Sequence, residues 1–270
     1  MKRLLSNLQN YHSPCQQYSF PGFYKLNRIQ DAAIYIYFMA LIIQYPVYPE
    51  MAPVFIQLIL SNKPCSMLWY EEEIKRLESL TAGSKQESRL VFYGSSSIKL
   101  WDTLEEDFKG YAPLNRGFGG STLAACSWFF ERVFANLQPS GIIIYAGDND
   151  LGDGRNPEEV LLFFNAFLQF VRNRFGDIHV GFIAIKPSIK RWGIVDKIRD
   201  TNHLIESFIN KSGNNVSFIN IYDQMTDEKG YPKGELLELD GLHINKKGYQ
   251  LWKEIILKDV AKEKLGNHKK

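Results

Sequence analysis

Asp240-Gly241-Leu242-His243 sets a carboxylate three residues before an imidazole, on what reads as a tight loop ahead of the last helix. At that spacing the carboxylate can accept from one ring nitrogen and leave the other to serve a hydroxyl. The chain has five histidines. His12 lies in an irregular leader, His179 opens a predicted strand, His203 sits mid-helix and His268 is in the tail, so His243 alone has such a partner on a loop. Candidate hydroxyls stand in Gly94-Ser95-Ser96-Ser97, directly after an apolar strand at 90–93. A serine at a strand-to-helix turn can project its oxygen into a crevice. Its own N–H then lies where the helix dipole favours developing negative charge. Two more clusters could supply donors. In Asn115-Arg116-Gly117-Phe118-Gly119-Gly120-Ser121 the glycines let backbone N–H groups come close to a ligand. In Gly147-Asp148-Asn149-Asp150 an amide side chain can donate to an oxyanion. Each cluster alone is also what an ordinary capped turn looks like. Their order and placement point to acyl transfer, which needs a nucleophile, a base, an orienter and two or three oxyanion donors.

The elements between these clusters give them one common rim. Short apolar strands are predicted at 90–93, 112–115, 141–146 (GIIIYA), 179–185 and 216–219, and each cluster follows a strand or precedes the final helix. Helices are predicted at about 121–137 (stopped by Pro139), 157–174, 195–211 and 249–263. The second is the clearest: Asn156 caps it, Pro157 opens it, Glu158 and Glu159 occupy its positive end, and Val160, Phe163, Phe164, Phe167, Leu168 and Val171 form its stripe. Strand–helix alternation implies a parallel sheet with helices on both faces, which binds ligands beyond the carboxyl ends of its strands.

At 270 residues, 45% hydrophobic and 23% charged, the chain has the material for a full core. A net charge of +2 with interspersed signs gives no footprint for nucleic acid, and the Lys-rich end reads as a solvated tail. Cys15, Cys65 and Cys126 are far apart and form no CxxC pair, so neither a disulfide framework nor a metal site is expected, and Cys126 reads as a buried thiol. Residues 1–66 form an irregular extension of unknown role, and a domain begins at the amphipathic stretch after Met67. The apolar run 32–43 is shorter than the ~20 residues that span a bilayer, which favours a cytoplasmic protein and leaves export or membrane association as the alternative.

VFYGSSSIKLW, NRGFGGST, YAGDND and DGLHINKKGY together resemble the four blocks of the SGNH hydrolases, also called GDSL-type esterases, over about residues 88–256. IKPSIKRW is similar to the subgroup carrying Gly-Ser-Ser-Ser, and Ser95 stands where the more familiar pattern has Asp. The resemblance implies a flavodoxin-like three-layer α/β/α sandwich around a five-stranded parallel sheet. It also implies a serine esterase or acylhydrolase acting on small, for example acetyl, carboxylic esters, with no cofactor and no metal. The Gly-x-Ser register makes Ser96 the implied nucleophile, with Ser95 and Ser97 as competitors. His243 is the implied base and Asp240 its orienter. The implied oxyanion donors are the Ser96 N–H, the Gly120 N–H (Gly119 as rival) and the Asn149 amide. Lys186, Ser188, Arg191 and Trp192 follow the fourth strand and are expected to reach the same rim, where Lys186, Arg191 and Trp192 would line a pocket for a carbohydrate or lipid-like alcohol. A ligand-binding protein without turnover, and an acyltransferase using the same residues, are the alternative readings. A Rossmann nucleotide site is disfavoured, because GFGGST lacks the GxGxxG spacing and follows the second strand.

Overall fold

The computed structural model of this protein describes residues 65–80, 86–212 and 215–267. The chain divides into two units, Met1–Leu68 and Trp69–Lys270. Of the first, only the helical turn Cys65–Leu68 is described, so the expectations for the apolar run 32–43 lie outside the described residues, as does the Lys-rich end.

In the second unit five strands form one sheet: β1 (Gln86–Gly94), β2 (Leu114–Gly117), β3 (Leu137–Tyr145), β4 (His179–Ile183) and β5 (Val216–Ile219). All neighbours are parallel, in the order β2-β1-β3-β4-β5. This is the flavodoxin-like order, in which the chain winds one way from β1 to β2 and the other way from β3 onward. The crevice opens at that switch, between the carboxyl ends of β1 and β3. The helices are α1 (Glu71–Ser79), α2 (Ser96–Lys99), α3 (Leu104–Asp107), α4 (Leu123–Trp128), α5 (Phe130–Val133), α6 (Asp148–Gly152), α7 (Pro157–Phe175), α8 (Val195–Ser212) and α9 (Lys246–Asn267).

Alternation along the strands splits the core into two layers. Phe92, Ile143, Tyr145 and Ile183 pack with Trp101 and with Trp252, Ile256 and Val260 of α9. The intervening residues face the other way: Tyr93 meets Phe134 and Phe167, and Phe182 meets Phe164 of α7. Nearly all of these are fully buried, each contributing roughly 1.5–3 kcal/mol. The α7 cap forms as its residues dictate: the Glu159 N–H donates to Asn156 Oδ1 (3.0 Å), and the Asn156 N–H donates to Glu159 Oε2 (2.8 Å).

Two elements differ from the sequence expectation. The helix predicted at 121–137 is two short helices, α4 and α5, and Pro139 lies inside β3 instead of ending a helix. Strand β4 first joins β3 at Gly141, so at Pro139 β3 has only β1 beside it and the missing donor is tolerated. Strand β2 begins two residues later than predicted, because Ala112 takes a left-handed conformation (φ 46°) and Pro113 precedes the ladder.

Candidate active site

The β1–α2 turn is shaped by two close backbones. Gly94 has φ 128°, and a Cβ there would stand 2.0 Å from the Tyr145 carbonyl oxygen of β3. Only glycine fits. The Ser95 N–H donates to that same carbonyl (2.9 Å), and Ser95 is the extended N-cap that sets Ser96 at the first position of α2. Ser95 and Ser97 are buried (2% exposed each), whereas Ser96 is half-buried at the rim. Of the three serines, Ser96 is the one that is not buried.

Across the switch point the second and third clusters are bonded to each other. Asp150 is fully buried and its Oδ2 accepts from the Leu123 N–H at the start of α4 (2.8 Å). Burial pushes its carboxyl pKa up, while Arg155, 3.2 Å away, and the α4 N–H groups oppose the rise. Asn149 Nδ2 donates to the Ser121 carbonyl (3.1 Å), so the amide lies beside the Gly119-Gly120 turn. Gly120 has φ 70°, and its carbonyl accepts from the Tyr70 hydroxyl (3.0 Å). Among the described residues the N–H groups of Ser96 and Gly120 have no partner, and neither does the Gly119 N–H.

The fourth cluster pairs a carboxylate with an imidazole. His243 Nδ1 lies 2.5 Å from Asp240 Oδ2. Asp240 Oδ1 accepts from the N–H groups of Leu242 (2.8 Å) and His243 (2.9 Å). These two backbone donors, followed by the imidazole, hold the Asp240 carboxyl down at about 2. An ionised carboxylate only accepts, so Nδ1 carries the hydrogen and the neutral ring keeps its lone pair on Nε2. The Lys190 N–H donates to the Gly241 carbonyl (3.0 Å) and braces the loop. Six residues further on, in the first turn of α9, the Tyr249 hydroxyl donates to the Ser97 carbonyl (3.1 Å) and its ring lies on Trp101 (4.9 Å). That contact ties the start of α9 to α2, and so the imidazole loop to the Ser96 turn. No hydrogen bond joins the Ser96 hydroxyl to the His243 ring among the described residues. Such contacts commonly tighten only when substrate binds.

The GDSL-like Lipase/Acylhydrolase family model matches residues 78–251, which is more than half of the chain and all four clusters. The chain belongs to this family. Among curated proteins nothing matches. Solved structures share the fold. One, from Streptococcus pneumonia and provisionally named a platelet activating factor, is 24% identical with TM-score 0.62, covering 77% of this chain and 98% of its own. A GDSL-like lipase from Bacteroides thetaiotaomicron VPI-5482 is 23% identical with TM-score 0.61, covering 72% and 98%. An acetyl esterase variant holding an acetate ion is 16% identical with TM-score 0.53, covering 65% and 97%.

In this GDSL-like acylhydrolase the residues after β4 differ in fate. Lys186, expected to line the pocket, is 2% exposed. Its ammonium is held 3.0 Å from Asp148 Oδ2 and 3.3 Å from the Tyr145 hydroxyl. Burial works against its charge, but Asp148 and Tyr145 outweigh it and the pKa is raised. A charge taken out of water needs this kind of partner, so Lys186 braces the turn carrying Asn149 instead of meeting solvent. Ser188 is buried as well. Trp192 is half-buried beside Tyr231 (ring centroids 4.9 Å) with the Arg199 guanidinium over it. Arg191 reaches Asn149 itself. The role of Tyr70 as a brace for Gly120 carries no signal in the sequence, because a tyrosine at a helix start has no local pattern that names a partner 50 residues away.

Among the described residues no group of His, Cys, Asp and Glu could hold a metal ion, and no helix is long and apolar enough to cross a membrane.

Proposed function

We propose that this acylhydrolase cleaves small carboxylic esters, acetyl esters first among them, through an acyl-enzyme on Ser96. The observation that carries the reading is the Asp240–His243 pair: one carboxylate oxygen on Nδ1, the other tied by two backbone N–H groups. This arrangement fixes the tautomer and turns one ring nitrogen into a base.

In this mechanism His243 Nε2 takes the proton of the Ser96 hydroxyl as Oγ attacks the carbonyl carbon. Negative charge then develops on the carbonyl oxygen, and the unpartnered N–H groups of Ser96 and Gly120 and the free hydrogen of Asn149 Nδ2 stabilise it. The imidazolium returns its proton to the leaving alcohol as the ester C–O bond breaks. Water then attacks the acyl-serine with His243 again as base, releasing the carboxylic acid and restoring the hydroxyl. Asp240 stays ionised throughout and stabilises the imidazolium. The preference for acetyl esters draws on the likeness to an acetyl esterase that holds acetate.

Labelling with a fluorophosphonate followed by peptide mapping tests the reading. Modification is expected at Ser96, in parallel with loss of p-nitrophenyl acetate hydrolysis. Labelling at Ser95 or Ser97, or hydrolysis that survives full labelling, would overturn it.

A further inference from the structure

Asn149 can serve an oxyanion only with its nitrogen end forward. A half-turn about its last bond would present Oδ1, and the site would repel the charge it must stabilise. One hydrogen of Nδ2 already lies on the Ser121 carbonyl (3.1 Å). The other end of the amide is occupied too: Arg191 Nη2 donates to Asn149 Oδ1 (3.1 Å). Arg191 Nε sits 3.2 Å from Asp148 Oδ1, and the second oxygen of Asp148 is on Lys186. Arg191 thus hangs between a buried carboxylate and the Asn149 carbonyl oxygen. Its guanidinium also lies in a slot that one residue leaves open. A Cβ on Gly152 would stand 1.2 Å from Arg191 Nη1 and 2.1 Å from Cζ, so any side chain at the end of α6 would drive the guanidinium out. Gly152 has no positive φ to explain a glycine there.

We propose that Arg191, seated on Gly152, is a positioning residue of the oxyanion hole: by donating to Oδ1 it fixes the Asn149 amide with its N–H toward the reacting carbonyl. A cation on Oδ1 also polarises the amide and strengthens the opposite N–H as a donor. The proposal rests on the reading of Asn149 as an oxyanion donor. Because the amide acts on charge that exists only in the transition state, Arg191 affects kcat and leaves KM nearly alone.

The test is a cycle of Arg191→Met, Asn149→Ala and the double variant on p-nitrophenyl acetate, with Gly152→Ala as a second way to displace the guanidinium and melting temperatures taken throughout. Asn149→Ala is expected to lower kcat by about 10²–10³. Arg191→Met and Gly152→Ala are each expected to lower it by about 10–100-fold with KM changed less than about threefold. The decisive result is in the double variant, which should be no slower than Asn149→Ala alone. Normal kcat in a folded Arg191→Met or Gly152→Ala, with Asn149→Ala slow, would sink the Arg191 role alone. So would a loss of equal size in the Asn149→Ala background. Normal kcat in Asn149→Ala would instead remove Asn149 from the oxyanion hole, and the proposal with it.

Discussion

Two regions of this protein pair an aspartate with a histidine or a serine, and they lie at opposite ends of the same sheet. At the carboxyl ends of the strands are Ser96, His243 and Asp240. At the amino end, His179 opens β4, its Nε2 lies 3.0 Å from Ser217 Oγ of β5, and that hydroxyl donates to Asp259 of α9 (2.7 Å). The residue types are the same and the order of bonding is not. In the amino-end cluster the serine sits between carboxylate and imidazole, so its hydroxyl hydrogen is already given to the carboxylate. At the rim the carboxylate binds the imidazole instead, which leaves a ring nitrogen and a serine hydroxyl uncommitted and N–H groups without partners nearby. The first arrangement joins β4, β5 and α9. The second is the one the proposed function uses to move a proton.

That contrast is open to experiment, beginning with the serines. Ser96→Ala is expected to lower kcat by about 10⁶ with little change in melting temperature. Ser217→Ala should keep kcat within about threefold and lose about 1 kcal/mol of stability, because a buried imidazole and a partly buried carboxylate lose their bond. Denaturant titration and ester hydrolysis on both variants read the two outcomes, and a Ser217 variant that folds but does not turn over would erase the distinction.

The aspartates sharpen it. Asp240→Asn leaves an acceptor for the backbone N–H groups but no longer holds the imidazole tautomer, so kcat is expected to fall by about 10⁴. Asp259→Asn should affect unfolding and not turnover. Equal losses of kcat from the two would mean that the amino-end cluster communicates with the reaction.

The smallest expected effect concerns acid. The Asp240 carboxyl is held at about 2, below its ordinary 3.8, so its contribution to stability is present above about pH 4 and is lost as pH falls toward 2. Its side chain is 49% exposed, so solvent screens most of this contribution. The melting-temperature gap between wild type and Asp240→Asn is expected to be about 2 °C or less near neutrality and to close below about pH 2. A gap that widens on acidification would contradict the assigned bonds.

Much of the candidate site's local geometry was legible in the chain because caps and tight turns are local devices. Asn156 caps with Glu159, and Asp240 reaches His243 across a three-residue turn. The boundaries that went astray depended on neighbours distant in sequence. Pro139 is acceptable in β3 only because β4 starts pairing at Gly141. Lys186, which a linear reading sends to the surface, is drawn inside by Asp148 of another strand's loop.

The sequence by itself therefore determined which residues could do the chemistry and that they follow successive parallel strands, since strand period, caps and turn glycines act over a few residues. Only the tertiary structure decided that Ser95 and Ser97 are buried while Ser96 is not, that Lys186 is drawn inside onto Asp148, and that Arg191 donates to Asn149 from a slot over Gly152. Those outcomes turn on burial and on contacts between elements tens of residues apart, where desolvation and steric fit, not local conformation, set the energy.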